Sequence, residues 1–110
     1  AGAALVVARV PAPNVDAMRE MGDLLRDKLG SAVIVLGAVI DDRPNFLAMS
    51  TKDLTSRVHA GNLIKQVAAV AGGGGGGRPE MAQAGGKDAS KLDEALDTAR
   101  RIARESLAAT

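Results

Sequence analysis

SAVIVLGAVI, residues 31–40, is the stretch that decides the fold. It has the length of a β-strand, and its apolar side chains do not alternate with polar ones. A strand that is apolar on both faces needs cover on both faces. We therefore predict an α/β layer domain, in which a small mixed β-sheet has helices packed on it.

A strand and a helix are predicted before this stretch. Residues 3–10, AALVVARV, have strand composition, and the prolines of PAPN end the strand. Asn14 is a good N-cap, and Gly30 suits the end of a helix. Between them, apolar residues recur at three- and four-residue steps, a helical stripe made of Val15, Met18, Met21, Leu25 and Leu29.

A hairpin and a second helix are predicted after it. DDRPN, residues 41–45, has turn composition, and FLAMSTK, residues 46–52, reads as a third strand paired with the second. A helix then begins between Ser56 and Gly61. Its apolar stripe is Ala60, Leu63, Ile64, Val67, Ala68 and Ala71, and the glycine run that follows ends it.

The last helix has its own start signal. Ser90 and Asp93 have the spacing of a capping box, and the buried stripe is Leu92, Leu96, Ala99, Ile102 and Leu107. RPEMAQAGG before it reads as a loop or a short edge strand, with Met81 and Ala82 in the core. The predicted order is β-α-β-β-α-(glycine loop or short strand)-α, in a single domain that spans residues 1–110.

Composition excludes several classes of protein. The 110 residues include no cysteine and one aromatic residue, Phe46, and their net charge is +1. Without cysteine, disulfides and thiolate metal sites are excluded, and a reducing, cytoplasmic location is expected. No apolar run has the length of a membrane span. The chain begins without Met, which we interpret as the mark of a piece of something longer, although processing could also remove the Met. We expect no membrane partner.

Groups that carry catalysis are scarce. His59 is the only histidine, and its place before the second helix predicts a surface or capping role. Asp41 and Asp42 are adjacent but lie in the predicted turn, so we expect them in solvent. Enzymes need groups that transfer protons, attack substrates or bind metal. We therefore predict no catalytic residue, no metal site and no cofactor in this chain.

The glycine run stands in AGGGGGGRPEMAQAGGKD, residues 71–88. A flexible linker joins two folded units, but only one predicted helix follows, and it must pack on the sheet. The glycines therefore interrupt one domain. No GK[ST] follows, and the run comes after a helix, so neither a Walker A loop nor a dinucleotide fingerprint fits. Successive glycine N–H groups suggest an anion-binding nest instead.

Charge around the run favours a phosphate ligand. Between residues 57 and 91 five basic side chains stand against two acidic ones, whereas residues 1–55 carry one more acidic than basic side chain. Readers of single strands stack bases on aromatic rings, which Phe46 alone cannot provide. Recognition of the shape and backbone of a structured RNA remains, with Arg78 and Lys87 on phosphates.

GGGGGGRPEMAQAGGKDASKLDEAL, residues 72–96, resembles the end of alanyl-tRNA synthetases, and HAGNLIKQVAAVAGG and TKDLTSR before it are similar to that family too. The resemblance implies the globular part of the C-terminal domain, C-Ala, which is related to the DHH-associated domain. It implies a non-catalytic part of alanine–tRNA ligase that binds the elbow of tRNA(Ala) and brings the aminoacylation and editing sites to one tRNA. Implied partners are tRNA(Ala), the remainder of the synthetase chain and, in some lineages, a second copy.

We predict that the RNA-binding surface consists of Gly72, Gly73, Gly74, Gly75, Gly76, Gly77, Arg78, Gln83, Gly85, Gly86, Lys87 and Lys65. Gln83 has the alternative role of bonding loop backbone, and Gly85 and Gly86 that of shaping the turn before Ser90. At Gly74 the family often has Lys or Arg.

Two other functions stay open. One is an oligomerisation or structural module of the synthetase, in which the apolar helices pair with a copy or with the parent enzyme. The other is the substrate-binding half of a DHH-type phosphoesterase. Against the latter, Arg78 and Pro79 stand where the phosphoesterases usually have a histidine.

Overall fold

The structure is a computed structural model that describes residues 3–108. They form five strands and three α-helices in the order β-α-β-β-α-β-β-α, with single 3-10 turns at Lys52–Leu54 and Ala89–Lys91. The strands are β1 (Ala4–Arg9), β2 (Ala32–Ile40), β3 (Arg43–Ser50), β4 (Gly74–Gly77) and β5 (Met81–Gly85). The helices are α1 (Val15–Leu29), α2 (Ala60–Val70) and α3 (Leu92–Ala108).

The strands form one mixed sheet in the order β1-β2-β3-β5-β4. β1 runs parallel to β2, and the other neighbours are antiparallel. A parallel pair needs a crossover, and α1 supplies it between β1 and β2. The predicted α/β fold with a small mixed sheet is confirmed.

β2 lies between two apolar layers, as its sequence predicts. On one face α1 packs Met18 against Ile34 and Leu47. On the other face α2 and α3 cover Val33 and Val35, together with Phe46, which is fully buried. Residues 32–38 of β2 are all buried. Each face of the strand thus has its own cover, which is what a strand without polar alternation requires.

The predicted turn at residues 41–45 is wrong in extent. Asp41 and Asp42 alone form the turn, with φ of 52° and 66°, and β3 begins at Arg43. Positive φ at both central residues is the geometry of the two-residue hairpin that matches strand twist. Pro44 is tolerated because it lies at the start of the strand, where a missing ladder donor matters least.

The glycine region also differs from the prediction. Met81–Gly85 is a strand, but it lies between β3 and β4 and is not an edge. The edge is β4, four of the six consecutive glycines. Side chains of β5 face both layers, with Ala82 buried against α2 and Met81 against the α1 side. A strand without side chains has nothing to pack on both faces, so it takes the outer place.

Helix starts follow local hydrogen bonds. Asn14 Oδ1 accepts from the Ala17 amide at 2.8 Å, and Gly30 follows α1 with φ of 78°, both as predicted. His59 Nδ1 caps α2 by accepting from the Asn62 amide at 3.1 Å. The capping box at Ser90 is wrong. Asp88 accepts from the Ser90 amide instead, and the 3-10 turn that this bond starts delays α3 to Leu92.

Candidate nucleic-acid interface

The glycine strand β4 forms an open edge of the sheet. Arg78 donates its amide to Met81 at the turn between β4 and β5. Hydrogen-bonded pairs alternate along an antiparallel ladder, so Gly76 and Gly74 also exchange bonds with β5. The N–H and C=O groups of Gly75 and Gly77 therefore point away from β5. α2 lies close to the Gly77 carbonyl, because a Cβ added to Gly61 would be 2.5 Å from that oxygen.

This arrangement corrects the expectation of a nest of free N–H groups. Gly72 and Gly73 donate to the carbonyls of Ala69 and Ala68 at 3.1 and 2.9 Å as they end α2. Gly72 has a φ of 74°, so its glycine serves the exit from the helix. A strand, not a loop, follows. Few glycine amides are left to bind an anion, so any ligand must be held mainly by other groups.

Three of the glycines are required by packing. A Cβ on Gly73 would be 1.8 Å from the Gly85 carbonyl oxygen. At Gly75 it would be 2.5 Å from the Ala84 side chain, and at Gly77 2.8 Å from Ala82. Gly86 is equally constrained, with the Ala71 oxygen 2.9 Å away, and it is buried. These positions exclude side chains for reasons internal to the fold.

Two other glycines are not required by packing. A Cβ on Gly74 would have nothing within 4 Å, and one on Gly85 would have only ordinary contacts, the nearest being Asn45 Oδ1 at 3.8 Å. Neither has the positive φ that favours glycine. Both are exposed. The fold permits a side chain at each, so their bareness needs an explanation outside the packing.

Gly74 and Gly85 belong to a surface that α1 leaves open. Strand residues alternate between faces, and α1 lies over β2 and β3 on its face of the sheet. The remaining part of that face lies on β5, β4 and the start of β3. We call this surface the glycine shelf, and its residues are Asn45, Gly74, Gly76, Gln83 and Gly85. It is nearly flat, because three of its five positions carry no side chain.

A hollow lies where the shelf meets the start of α1. It has a volume of about 540 Å³, and the residues around it include Val15, Arg43, Asn45, Gly74, Gly85 and Lys87. A smaller hollow of about 310 Å³ adjoins Met18 and Gln83. The two hollows thus bring together half of the twelve predicted residues, namely Gly73, Gly74, Gln83, Gly85, Gly86 and Lys87.

The remaining predicted side chains lie along the edge. Lys65 of α2 is exposed and places its Cε 3.2 Å from where a Cβ of Gly76 would be. Arg78 lies at the far end of β4, about 13 Å from Gly74 by the rise of a strand. Its Nε is 3.2 Å from Glu80 Oε1. The predicted set therefore forms a strip along β4, and Arg78 is separate from the hollow.

Charge on the strip is mostly uncompensated. Within residues 3–108, no salt bridge involves Lys65, Lys87 or Arg43. Asp88 follows Lys87, and the Ser90 hydroxyl and amide hold the pKa of the Asp88 carboxyl below its usual value by donating hydrogen bonds to it. That carboxylate is engaged in the turn before α3. The lysines remain available to an anion.

Sequence reasoning missed Arg43 and Asn45, because DDRPN was taken whole as a turn. A usable signal was present. Positions 43 and 45 are in phase with Leu47 and Met49, which face α1, so extending the strand backwards places them on the shelf side. Asn45 pairs with Gly85 across the ladder, which brings it beside the glycines.

Known proteins share the sequence of this chain over most of its length. Residues 2–105 match the family model of the DHHA1 domain. The chain belongs to the DHHA1 domain family. Among its relatives, the alanine–tRNA ligase of Dehalococcoides mccartyi is 56% identical over 96 residues, which are 86% of this chain and 11% of the ligase. The ligase of Alkaliphilus oremlandii is 55% identical over 102 residues, 92% of this chain and 12% of the ligase.

This DHHA1 domain is also similar to a solved structure. The C-Ala domain of Aquifex aeolicus alanyl-tRNA synthetase superposes with a TM-score of 0.80 and 31% identity, covering 89% of this chain and 88% of that one. The predicted resemblance is confirmed. The chain spans only about a ninth of the length of its curated relatives, so it corresponds to one domain of a ligase and not to a whole enzyme.

Two further observations concern residues 3–108 alone. No cluster of three or more His, Asp or Glu side chains there is placed to hold a metal ion. None of the helices described combines the length and apolar character that crossing a membrane would require.

Proposed function

We propose that this DHHA1 domain is the tRNA-binding module of a longer alanyl-tRNA synthetase and that it contacts the elbow of tRNA(Ala) through the glycine shelf. The observation that carries the proposal is that Gly85 is bare although the fold would accept a side chain there. Selection for packing does not explain this glycine. Close approach of a ligand to the backbone does.

The shelf suits a flat, anionic ligand. Exposed backbone of β4 and β5 gives a planar face, and Lys65 and Lys87 lie beside it with no salt bridge to any of residues 3–108. Phe46 is fully buried, so stacking on an aromatic ring is not available. Structured RNA is recognised by shape and by its sugar-phosphate backbone, and the folded elbow exposes the face of a base pair. Lysines at the rim would hold the phosphates around it.

Within the longer protein, the role that follows is to hold one tRNA for two reactions. Relatives named as alanine–tRNA ligases support a ligase as the parent chain. An elbow contact would keep the same tRNA bound while its end reaches the aminoacylation site and the editing site. The partners are then tRNA(Ala) and the remainder of the synthetase, in the cytoplasm.

The test uses one substitution on the shelf. Gly85→Leu adds a bulky side chain where a Cβ is tolerated, so the domain should stay folded and lose at least tenfold in affinity for a tRNA(Ala) transcript. Gln66→Leu, on the exposed face of α2, is the matched control and should bind as the wild type does. Gel shifts would compare tRNA(Ala) with a tRNA that lacks the folded elbow. Equal binding by Gly85→Leu and wild type would refute the shelf as the interface.

Homodimerisation is a second candidate, and the open edge of β4 favours it. Unpaired strand edges can join another chain. Among residues 3–108, the large apolar side chains that are exposed are only Leu24, Leu29 and Val39. Too few apolar side chains are exposed in this part of the chain for helices to pair as in our structural-module hypothesis, so a dimer would use β4. Sedimentation of the domain with and without tRNA separates the two functions, because a β4 dimer would be displaced by RNA on the shelf.

A further inference from the structure

The hollow beside the glycine shelf is lined by Arg43, which lies outside the shelf, and by Asn45, a shelf residue to which the proposed function gives no contact of its own. Arg43 and Asn45 are both on the shelf face of β3, two positions apart and therefore about 7 Å from each other along the strand. Both line the hollow of about 540 Å³, together with Lys87 and Asp41. The space is of the size that small ligands occupy in proteins.

One side of the hollow is cationic. Arg43 lies in β3 and Lys87 lies in the loop after β5. They meet here because the Gly86 amide donates to the Pro44 carbonyl at 2.9 Å, which joins the two segments. Within residues 3–108 neither side chain has a salt bridge. A guanidinium presents a planar pair of donors that fits two phosphate oxygens, and an ammonium adds a second charge. This side is suited to one phosphate group.

The other side offers acceptors. Asn45 donates its Nδ2 to the Arg43 carbonyl at 3.1 Å, which orients the amide. Its Oδ1 then faces the shelf, 3.8 Å from where a Cβ of Gly85 would be. The hydrogen bonds of residues 3–108 supply no donor to that oxygen. Asp41 lines the hollow with a further acceptor. A ligand here must bring N–H or O–H groups.

We infer that the hollow holds one nucleotide of the bound RNA, with its phosphate on Arg43 and Lys87 and a base N–H or a ribose hydroxyl on Asn45 Oδ1. A nucleotide combines an anion with donor groups at the distance of a few bonds, so it satisfies both sides at once. Inorganic phosphate or a carboxylate could occupy the cationic side, but it brings no base N–H or ribose hydroxyl to Asn45 Oδ1. The inference rests on the proposed function, because it assumes RNA on the shelf.

Titration with a tRNA(Ala) transcript at several salt concentrations tests the assignment. Arg43→Ala should weaken binding about fivefold to tenfold and make the slope of log affinity against log salt shallower by about 0.9, since one phosphate contact is lost. Asn45→Ala should weaken binding about fivefold with an unchanged slope, since it removes a hydrogen bond and no charge. Arg43 is exposed, so its variant should fold, and the melting temperature of each variant is measured beside its affinity.

Outcomes distinguish the hollow from the shelf. If both variants bind as the wild type does while Gly85→Leu does not bind, the hollow is empty in the complex and only this inference is wrong. If Arg43→Ala and Asn45→Ala both lower the salt slope, the Asn45 contact is not a neutral hydrogen bond and the assignment is overturned. If the wild type binds no RNA at any salt concentration, the proposed function fails, and the inference fails with it.

Discussion

Gly74→Lys is the substitution that most directly probes the interface. The structure shows that a side chain fits at this position, because nothing lies within 4 Å of an added Cβ. Its φ is not in the left-handed region, so a non-glycine residue meets no backbone strain. Replacing a strand glycine should even stabilise the fold, by about 0.5–1 kcal/mol, through the lower entropy of the unfolded chain.

The expected gain in RNA affinity follows from counterion release. One additional phosphate contact steepens the slope of log affinity against log salt by about 0.9, which widens the difference between affinities at about 1 M and about 0.1 M salt by roughly eightfold. Fluorescence anisotropy with labelled tRNA(Ala) at four or more salt concentrations gives both the affinity and the slope. Thermal melting reports on the fold in the same samples.

Two controls complete this experiment. Gly74→Gln has a long side chain without charge, so it measures any steric effect of filling the shelf. Gly75→Lys carries the same charge one residue along, but its Cβ would be 2.5 Å from Ala84, and we expect it to lower the melting temperature. If Gly74→Lys is folded and its salt slope equals that of Gly74→Gln, then β4 does not lie near phosphates. The placement of RNA on the shelf would then be wrong.

Three further changes have defined outcomes. Glu80→Gln removes the ion-pair partner of Arg78 and should tighten RNA binding about twofold to threefold, the range expected for a surface ion pair. Glu94→Gln, the control, should leave RNA binding unchanged. Equal effects of the two substitutions would mean that only the net charge matters. His59→Ala removes the cap of α2 and should lower the unfolding free energy by about 1 kcal/mol in urea titrations, and His59→Asn should restore most of it. The pKa of the Asp88 carboxyl is lowered in the folded state, so its stabilising effect is full above the unfolded pKa and is lost as pH falls through the folded pKa. Asp88→Asn should therefore flatten the acid side of the curve of stability against pH. An unchanged curve would contradict this.

Local signals predicted most of the fold. Residues 31–40 carry no polar alternation, and this single property predicts cover on both faces and hence the layered α/β fold. Asn14, Gly30 and His59 act within one helical turn, so their roles can be recognised without knowledge of the tertiary structure. Ser90 was misassigned as a helix cap because the Asp88 side chain accepts from the Ser90 amide. In the predicted capping box, that amide would have been bonded by Asp93 instead.

Strand order was beyond these signals. Nothing in MAQAG distinguishes an inner strand from an edge strand, because its position depends on β4 pairing with it from the far side. The place of Asn45 on the shelf and of Arg43 beside the hollow was beyond them for a similar reason. The hairpin turns in two residues rather than five, and this choice depends on the register that β2 and β3 adopt over their whole length.

The glycine run meets two requirements, tight packing and an open shelf, and these fall on alternate residues because successive strand residues face opposite sides. Gly73, Gly75 and Gly77 lie one residue apart from Gly74 and Gly76, so they are out of phase with them along the strand. The first set meets Ala82, Ala84 and the Gly85 carbonyl at distances that no Cβ tolerates. At Gly74 the second set has open space and faces the shelf. An alternating pattern would satisfy either requirement alone, and only their combination needs consecutive glycines. Side chains in the first phase should therefore unfold the edge, and side chains in the second should change RNA binding with the fold intact. Separate substitutions at Gly75 and Gly74, each measured for melting and for RNA affinity, would distinguish the two roles, and loss of stability in both variants would leave the run explained by packing alone.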